Sequence, residues 1–244
     1  MIGRGCVIAI GGNEDKRGTK AILRTFVERA GGADARIVIV PSASLQPETR
    51  GGRYAQIFLK LGVASAHIVH TERKLTRDEL MLITNATGIF VTGGNQERLM
   101  AHLRRSGADD AIRDAVTSGA VYAGTSAGAA AISRTMISGS TRRRSGELVH
   151  LSEGLGLLDH IVIDQHFSER RRLTRLIEAT SSNNLVGVGI DENTAAIWES
   201  HDEVLIAGEG EVTVVRPDNR TITLHVLGED DRMTIEQGTA PFSL

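Results

Sequence analysis

The chain has 244 residues, 41% hydrophobic and 24% charged, with a formal net charge of -2. That balance fits a soluble globular protein with a sizeable core and argues against nucleic acid or an anionic membrane surface as the main partner. A single cysteine, Cys6, leaves no disulfide framework and no cysteine-based metal site, residues 1–5 carry no extended apolar leader, and no apolar run approaches a membrane span. A cytoplasmic location is the resulting expectation.

Short β-branched runs alternate with segments of helical period from the start. Residues 6–10 predict a strand, 19–30 a helix stopped by Gly31-Gly32, and 36–40 the next strand. A helix over 53–61 places Tyr54, Ile57, Phe58 and Leu61 on one face, and Gly62 closes it. Residues 67–69 form a short strand candidate. Thr76 and Glu79 have capping-box spacing, which starts a helix over 77–85 with acidic residues in its first turn. A strand over 88–92 and helices over 96–104 and 109–118 lead to the apolar run 120–123. Beyond it, the polar segment 139–153 reads as a surface loop, 162–163 as a strand end, 169–181 as a helix and 186–190 as a strand. The tail changes character. Runs 203–206, 211–215 and 221–226 predict antiparallel strands flanking the parallel sheet as an edge, with turns at 208–210 and 217–219. No repeat or linker interrupts the pattern, so the expectation is one α/β domain over 1–244, a mostly parallel sheet flanked by helices.

The sequence Gly124-Thr125-Ser126-Ala127-Gly128 follows the run 120–123 and precedes a small-residue stretch. A G-x-S-x-G between strand and helix is the pattern of a nucleophile elbow, whose glycines tolerate the strained turn that exposes the serine hydroxyl. A serine needs a base to take its proton, and the base needs a group to hold its tautomer. Among eight histidines, His166 stands out because it follows the strand Val162-Ile163-Asp164, where active sites of open sheets gather. The spacing of His67 and His70 lacks further ligands for a metal. Glu192, just past the strand 186–190, is one candidate to orient the base, and Asp164, Glu147 and Asp191 compete with it. Thr92-Gly93-Gly94-Asn95-Gln96 supplies a glycine turn at a helix N-terminus, which nominates the amides of Gly94 and Ala127 as oxyanion donors. The turn Gly11-Gly12-Asn13 after the first strand lacks the remaining requirements of a nucleotide loop.

Six blocks in order carry a resemblance: residues 10–16, 92–96, the elbow through Ala129, 154–158, Asp164-Gln165-His166-Phe167-Ser168-Glu169-Arg170, and Gly189-Ile190-Asp191-Glu192-Asn193-Thr194-Ala195. From about Val7 to Trp198 the chain resembles the cyanophycinases, members of a serine peptidase family that also contains the aspartyl dipeptidases called peptidase E. The elbow and glycine turn belong to the wider family, and the Asp-Gln-His-Phe block with its trailing arginines favours the cyanophycinases. The resemblance implies a fold like the class I glutamine amidotransferases and a triad of Ser126, His166 and Glu192. It also implies a substrate pocket lined by Gln96, Asp164, Gln165, Arg170, Arg172 and Arg175, no metal or organic cofactor, and a possible homodimer. The implied substrate is cyanophycin, a poly-aspartate whose side-chain carboxyls carry arginine by isopeptide bonds, cut to β-aspartyl-arginine dipeptides. Arginine forks suit its carboxylates, and Asp164 suits its arginine. On a helix Arg172 and Arg175 share a face and Arg171 points elsewhere. The position of Arg171 is often a small residue and that of Thr174 often glycine in this family, and the loop 140–151 with Arg142-Arg143-Arg144 has no evident match. An aspartyl dipeptidase acting on short Asp-X peptides, or a non-catalytic peptide-binding homologue, are the rival readings.

Overall fold

Strands apolar on both faces are stable only with helices or a second layer covering each side. In the computed structural model, which describes residues 5–143, 146–181, 183–199, 202–218 and 221–235, the first half of the chain builds such a sheet. Its elements are β1 (Val7–Ile10), α1 (Ala21–Arg29), β2 (Arg36–Val40), α2 (Pro47–Lys60), β3 (Ser65–Ile68), α3 (Arg77–Thr84), β4 (Gly88–Val91), α4 (Gln96–Ser106), α5 (Ala108–Thr117), β5 (Val121–Thr125) and the one-turn α6 (Ala127–Ala130). The second half contributes β6 (Thr135–Arg143), β7 (Gly146–Glu153), β8 (Ile161–Gln165), α7 (Leu173–Ser181), β9 (Val186–Ile190), β10 (Thr194–Trp198), β11 (Glu203–Gly208), β12 (Val212–Pro217), β13 (Ile222–Leu227) and β14 (Arg232–Thr234).

The larger sheet has the order β14-β11-β10-β1-β5-β4-β2-β3, and its last five strands run parallel. This is the expected α/β arrangement, a mostly parallel sheet flanked by helices. Alternate residues of β1 divide the core. Val7 and Ala9 pack on the side of α3 to α6 together with β8, β9 and β12, and Ile8 and Ile10 pack on the side of α1 and α2. The latter face holds Phe26, Tyr54, Phe58 and Phe90 with ring centroids as close as 4.5 Å, so half of the chain's eight aromatic residues sit in one cluster behind β1 and β4. The capping box is present: Thr76 N–H donates to Glu79 Oε2 at 2.9 Å and Glu79 N–H to Thr76 Oγ1 at 3.3 Å. The Arg73 guanidinium bonded to Glu79 is the largest cause that pulls this carboxyl down to about 2. Among the described residues no helix is long and apolar enough to cross a membrane.

Several expectations from the sequence are corrected. The segment 139–153 is not a loop but most of the β6–β7 hairpin, paired from Thr135↔Glu153 to Arg143↔Gly146 with an irregularity between Ile137 and Gly139. A two-stranded ribbon pairs its backbone without an apolar pattern on both faces, and here Ile137, Val149 and Leu151 pack against Val162, Phe167 and Leu176. Arg142, Arg143, Arg144 and Glu147 lie outside the residues whose side chains are described. The tail does not form one edge. β11 extends the larger sheet as expected, but β12 and β13 join a second sheet of order β13-β12-β9-β8. The change of sheet occurs at Gly208 to Glu211, where Glu209 N–H donates to Asn193 O at 3.1 Å and Asp191 N–H to Glu211 O at 3.1 Å. Thr194–Trp198, unassigned from the sequence, is a fully buried strand antiparallel to β1. The helix read over 169–181 begins only at Leu173, because Arg171 adopts φ +53° and breaks the helical path.

Candidate active site

The carboxyl ends of β1, β4 and β5 in the larger sheet meet those of β8 and β9 in the smaller, and backbone hydrogen bonds join them. Ser126 N–H donates to Ile10 O at 2.9 Å, His166 N–H to Gly11 O at 2.9 Å, and Asn193 N–H to Gly12 O at 2.8 Å. Residues about 40 to 180 positions apart in sequence are thereby fixed against one another.

Ser126 follows β5 with φ +54° and ψ -110°, a conformation that costs a non-glycine residue about 1–3 kcal/mol. It persists because Ser126 O accepts from Ala129 N–H at 2.9 Å and Ala130 N–H at 3.0 Å, anchoring the turn to α6. The glycine at 124 permits the tight return, since a Cβ there would lie 2.2 Å from Gly128 O. The hydroxyl is thus pushed out of the sheet, with Oγ 2.9 Å from His166 Nε2. On the other side of the ring, Nδ1 lies 2.5 Å from Glu192 Oε1. A carboxylate can only accept, so Nδ1 carries the proton and Nε2 faces the hydroxyl as an acceptor. Asn13 Nδ2 donates to Glu192 Oε2 at 2.6 Å, and this bond, ahead of the opposing effect of burial and the help of His166, holds the Glu192 carboxyl below its ordinary value. Glu192 is ionised at neutral pH.

Two of the rival acids, Asp191 and Asp164, are engaged elsewhere. Asp191 accepts from Ser168 N–H at 2.9 Å and Glu211 N–H at 3.3 Å. Asp164 is 1% exposed and paired with two arginines. Gly12 provides the room for the imidazole: it has φ +108°, and a Cβ on it would lie 2.3 Å from His166 Cε1. Gly93 packs against the nucleophile, with a built Cβ 3.1 Å from Ser126 Cβ. The amides of Gly94 and Ala127 donate to no backbone or side-chain acceptor among the described hydrogen bonds, and so remain open for an oxyanion. Cys6 offers no rival nucleophile, because burial pushes its thiol up to about 12.

The other pocket candidates fall into three groups. Gln96 donates from Nε2 to Ile137 O and Ser138 O, both at 3.1 Å, and so links α4 to the hairpin. Arg172 and Arg175 do share a face, but both guanidinium groups converge on Asp164. Arg175 Nε donates to Asp164 Oδ2 at 2.8 Å and its Nη2 to Oδ1, while Arg172 Nη1 reaches Asp164 Oδ1 at 3.0 Å and Gln165 Oε1 at 3.0 Å. Asp164 therefore presents no free carboxylate, and desolvation lowers the pKa of Arg172 despite this partner. Arg170 and Arg171 are exposed.

Sequence reasoning missed two participants. Asn13 belongs to the Gly-Gly-Asn turn, which was given no role in the triad; its position at a strand's carboxyl end was the available signal. Glu14 is 2% exposed and accepts from Tyr54 OH and from Thr125 Oγ1 at 2.7 Å, with Lys16 Nζ 2.9 Å away. Through this carboxylate the aromatic cluster behind the sheet is tied to the residue directly before Ser126. A hydroxyl, imidazole and ionised carboxylate in line, beside two open amides, can carry out acyl transfer by nucleophilic attack.

Comparison with known proteins agrees with that chemistry. Residues 7–206 match the profile of Peptidase family S51. A cyanophycinase of Synechococcus elongatus is 43% identical over 221 residues, covering 88% of this chain and 69% of that protein. One of Trichormus variabilis is 38% identical over 259 residues, covering 96% and 86%. The crystal structure of a peptidase from an acI-B1 actinobacterium superposes with a TM-score of 0.71 over 95% of this chain and 97% of that one, at 20% identity, a likeness of fold. The chain belongs to peptidase family S51 and is a serine-type peptidase.

Proposed function

We propose that the chain is an exopeptidase that degrades cyanophycin to β-aspartyl-arginine dipeptides, with Ser126 as nucleophile, His166 as general base and then acid, and Glu192 as the group that orients His166. The observation that carries the mechanism is the contact of Ser126 Oγ with His166 Nε2 at 2.9 Å, with Glu192 at 2.5 Å behind the ring. The substrate follows from the relatives that are 43% and 38% identical to this chain over most of its length, both cyanophycinases.

His166 Nε2 takes the hydroxyl proton as Oγ bonds to a backbone carbonyl carbon of the polymer, and the oxyanion is received by the Gly94 and Ala127 amides. Glu192 stabilises the imidazolium. The C–N bond then breaks as Nε2 returns the proton to the leaving amine, and water repeats the sequence on the acyl-enzyme to free Ser126. No step calls for a metal or organic cofactor. Arg172, Arg175, Gln165 and Asp164 act as one preassembled wall in this reading. Asp164 holds the guanidinium groups in place, and Gln96 and Arg170 complete the pocket. Pairing of two copies and a cytoplasmic location belong to the same proposal.

Incubation with purified cyanophycin and, in parallel, with a panel of Asp-X dipeptides, read by mass spectrometry, tests it. Release of β-aspartyl-arginine from the polymer is the expected result. Turnover confined to the dipeptides would replace the reading with aspartyl dipeptidase chemistry, and turnover of neither with a peptide-binding role.

A further inference from the structure

A second cleft opens beside the nucleophile, on the side of α4 away from Gln96. It has a volume of about 450 Å³ and is lined by the turn before α2 (Ala43 to Gln46), by Arg50, and by Gly93, Gly94, Asn95 and Arg98. Gly93 belongs both to this lining and to the packing around Ser126, and so adjoins the cleft to the reacting centre. Positions 96 and 98 of a helix are about 200° apart. Gln96 accordingly turns to the hairpin at Ile137 and Ser138, while Arg98 turns to Ala43, donating from Nη1 to its carbonyl at 3.4 Å.

The charge of this cleft is one-sided. Neither Arg50 nor Arg98 has a carboxylate within salt-bridge distance among the described residues, unlike Arg29 with Glu199, Arg73 with Glu79 and Arg134 with Asp159. Among the described residues no acid lines the cleft, and Glu48, the acid nearest in sequence to Arg50, pairs with His70 at 3.3 Å. Two guanidinium groups without a carboxylate partner, around a space bordered by the glycine that packs on the nucleophile, are suited to a carboxylate carried by a bound chain.

We propose that this cleft is a subsite for carboxylates of the substrate beyond the dipeptide unit being released, with Arg50 and Arg98 as its binding groups. The proposal rests on the cyanophycin reading above. In that polymer each arginine is joined through its amino group, which leaves the arginine's own carboxylate free at every repeat. A chain lying across Ser126 has one unit against the Arg172 wall and presents the carboxylate of a neighbouring unit on the opposite side of α4. The subsite distinguishes long chains from short ones, because the shortest cleavable substrate has few units to fill it.

The test compares a dimer of the repeat unit with a longer soluble oligomer, using the parent, Arg50→Ala, Arg98→Ala and the double variant. The double variant is expected to lower the ratio of kcat/KM for the long chain over the dimer by about ten-fold, through KM and not kcat, and to flatten its salt dependence. Arg50→Lys should restore part of the loss. A direct readout accompanies this: titration of the long oligomer into Ser126→Ala, with and without the arginine substitutions, measures binding without turnover. An unchanged length ratio together with unchanged binding overturns the subsite. Equal losses on both lengths overturn it too, since they place the arginines in general binding or folding. Failure of the parent to cleave either substrate would overturn the proposed function instead, and the titration would still decide whether Arg50 and Arg98 hold a carboxylate chain.

Discussion

Gly12→Ala isolates the placement of the imidazole from every other property of the site. The added Cβ would lie 2.3 Å from Cε1, 2.6 Å from Nε2 and 3.0 Å from Nδ1 of His166. Carbon contacts settle near 3.5 Å, so the ring must retreat by about 1 Å or more. Both of its bonds, 2.9 Å to Ser126 and 2.5 Å to Glu192, are then broken or lengthened together. Misplacement of a catalytic group by this distance costs about a hundred-fold in rate. The left-handed φ of +108° adds a backbone penalty for alanine of about 1–2 kcal/mol in stability. Gly62→Ala separates the two effects, since Gly62 has φ +89° and nothing within 4 Å of a built Cβ. Steady-state kinetics on cyanophycin together with thermal denaturation should show both variants melting lower and only Gly12→Ala losing kcat. A Gly12→Ala enzyme with kcat within about three-fold of the parent would refute the argument that this glycine makes room for the ring. So would a matching loss of kcat in Gly62→Ala.

Ser126→Ala should lose about a thousand-fold or more of the activity while still binding polymer, measured by kinetics and by calorimetric titration. Glu192→Gln should lower kcat by up to about ten-thousand-fold, because an amide disturbs the tautomer and no longer stabilises the imidazolium. Its pH dependence has a definite sign. The Glu192 carboxyl is held below its ordinary value in the fold, so its stabilisation is fully present above the ordinary carboxylate range and is lost as pH falls through the lowered value. Melting curves across pH should therefore show the deficit of Glu192→Gln at neutral pH shrinking on acidification. Arg175→Ala should destabilise the fold by about 3 kcal/mol, because it strips a buried carboxylate of its bidentate partner, whereas the exposed Arg171→Ala should stay within about 0.5 kcal/mol in denaturant melts. Glu14→Gln should lower both melting temperature and kcat, since it leaves Lys16 uncompensated beside the elbow.

The parallel half of the fold was legible because its signals are local. The apolar runs at Val7–Ile10, Arg36–Val40 and Gly88–Val91, the Thr76 capping box and the glycine after Leu61 each specify their element within a few residues. What the sequence withheld was partnership. Val186–Ile190 reads as a buried strand in any sheet, and nothing in its residues says that it pairs with Ile161–Gln165 and Val212–Pro217 in place of the larger sheet. The hairpin Thr135–Glu153 was hidden by its polarity, and Thr194–Trp198 by the small alanines that follow the Asp-Glu-Asn block. At the site, the strand-end positions of Ser126 and His166 were readable from pattern. The choice of carboxylate was not, since Glu192 and Asp191 are adjacent in sequence and only the path after β9 turns one to the ring and the other to Ser168 and Glu211. The arginines show the same limit: helical spacing put Arg172 and Arg175 on one face, but only the three-dimensional structure reveals that Asp164 fills the space between them.

These partnerships explain how strain is held at the site. Asn13, Ser126, His166 and Asn193 all have φ between +48° and +54°. Asparagine tolerates that region cheaply, so the cost falls mainly on Ser126 and His166, at about 1–3 kcal/mol each. Both are held by backbone bonds at the end of β1: Ser126 N–H to Ile10 O inside the larger sheet, and His166 N–H to Gly11 O across the junction of the two sheets. The second bond exists only once β8 and β9 have docked against the end of β1. A partly folded chain with only the parallel sheet in place could form the elbow, but it would have no means of holding the imidazole against it. The reactive geometry is therefore a property of the closed assembly, and a substitution that loosens the sheet junction acts on the rate before it acts on the secondary structure.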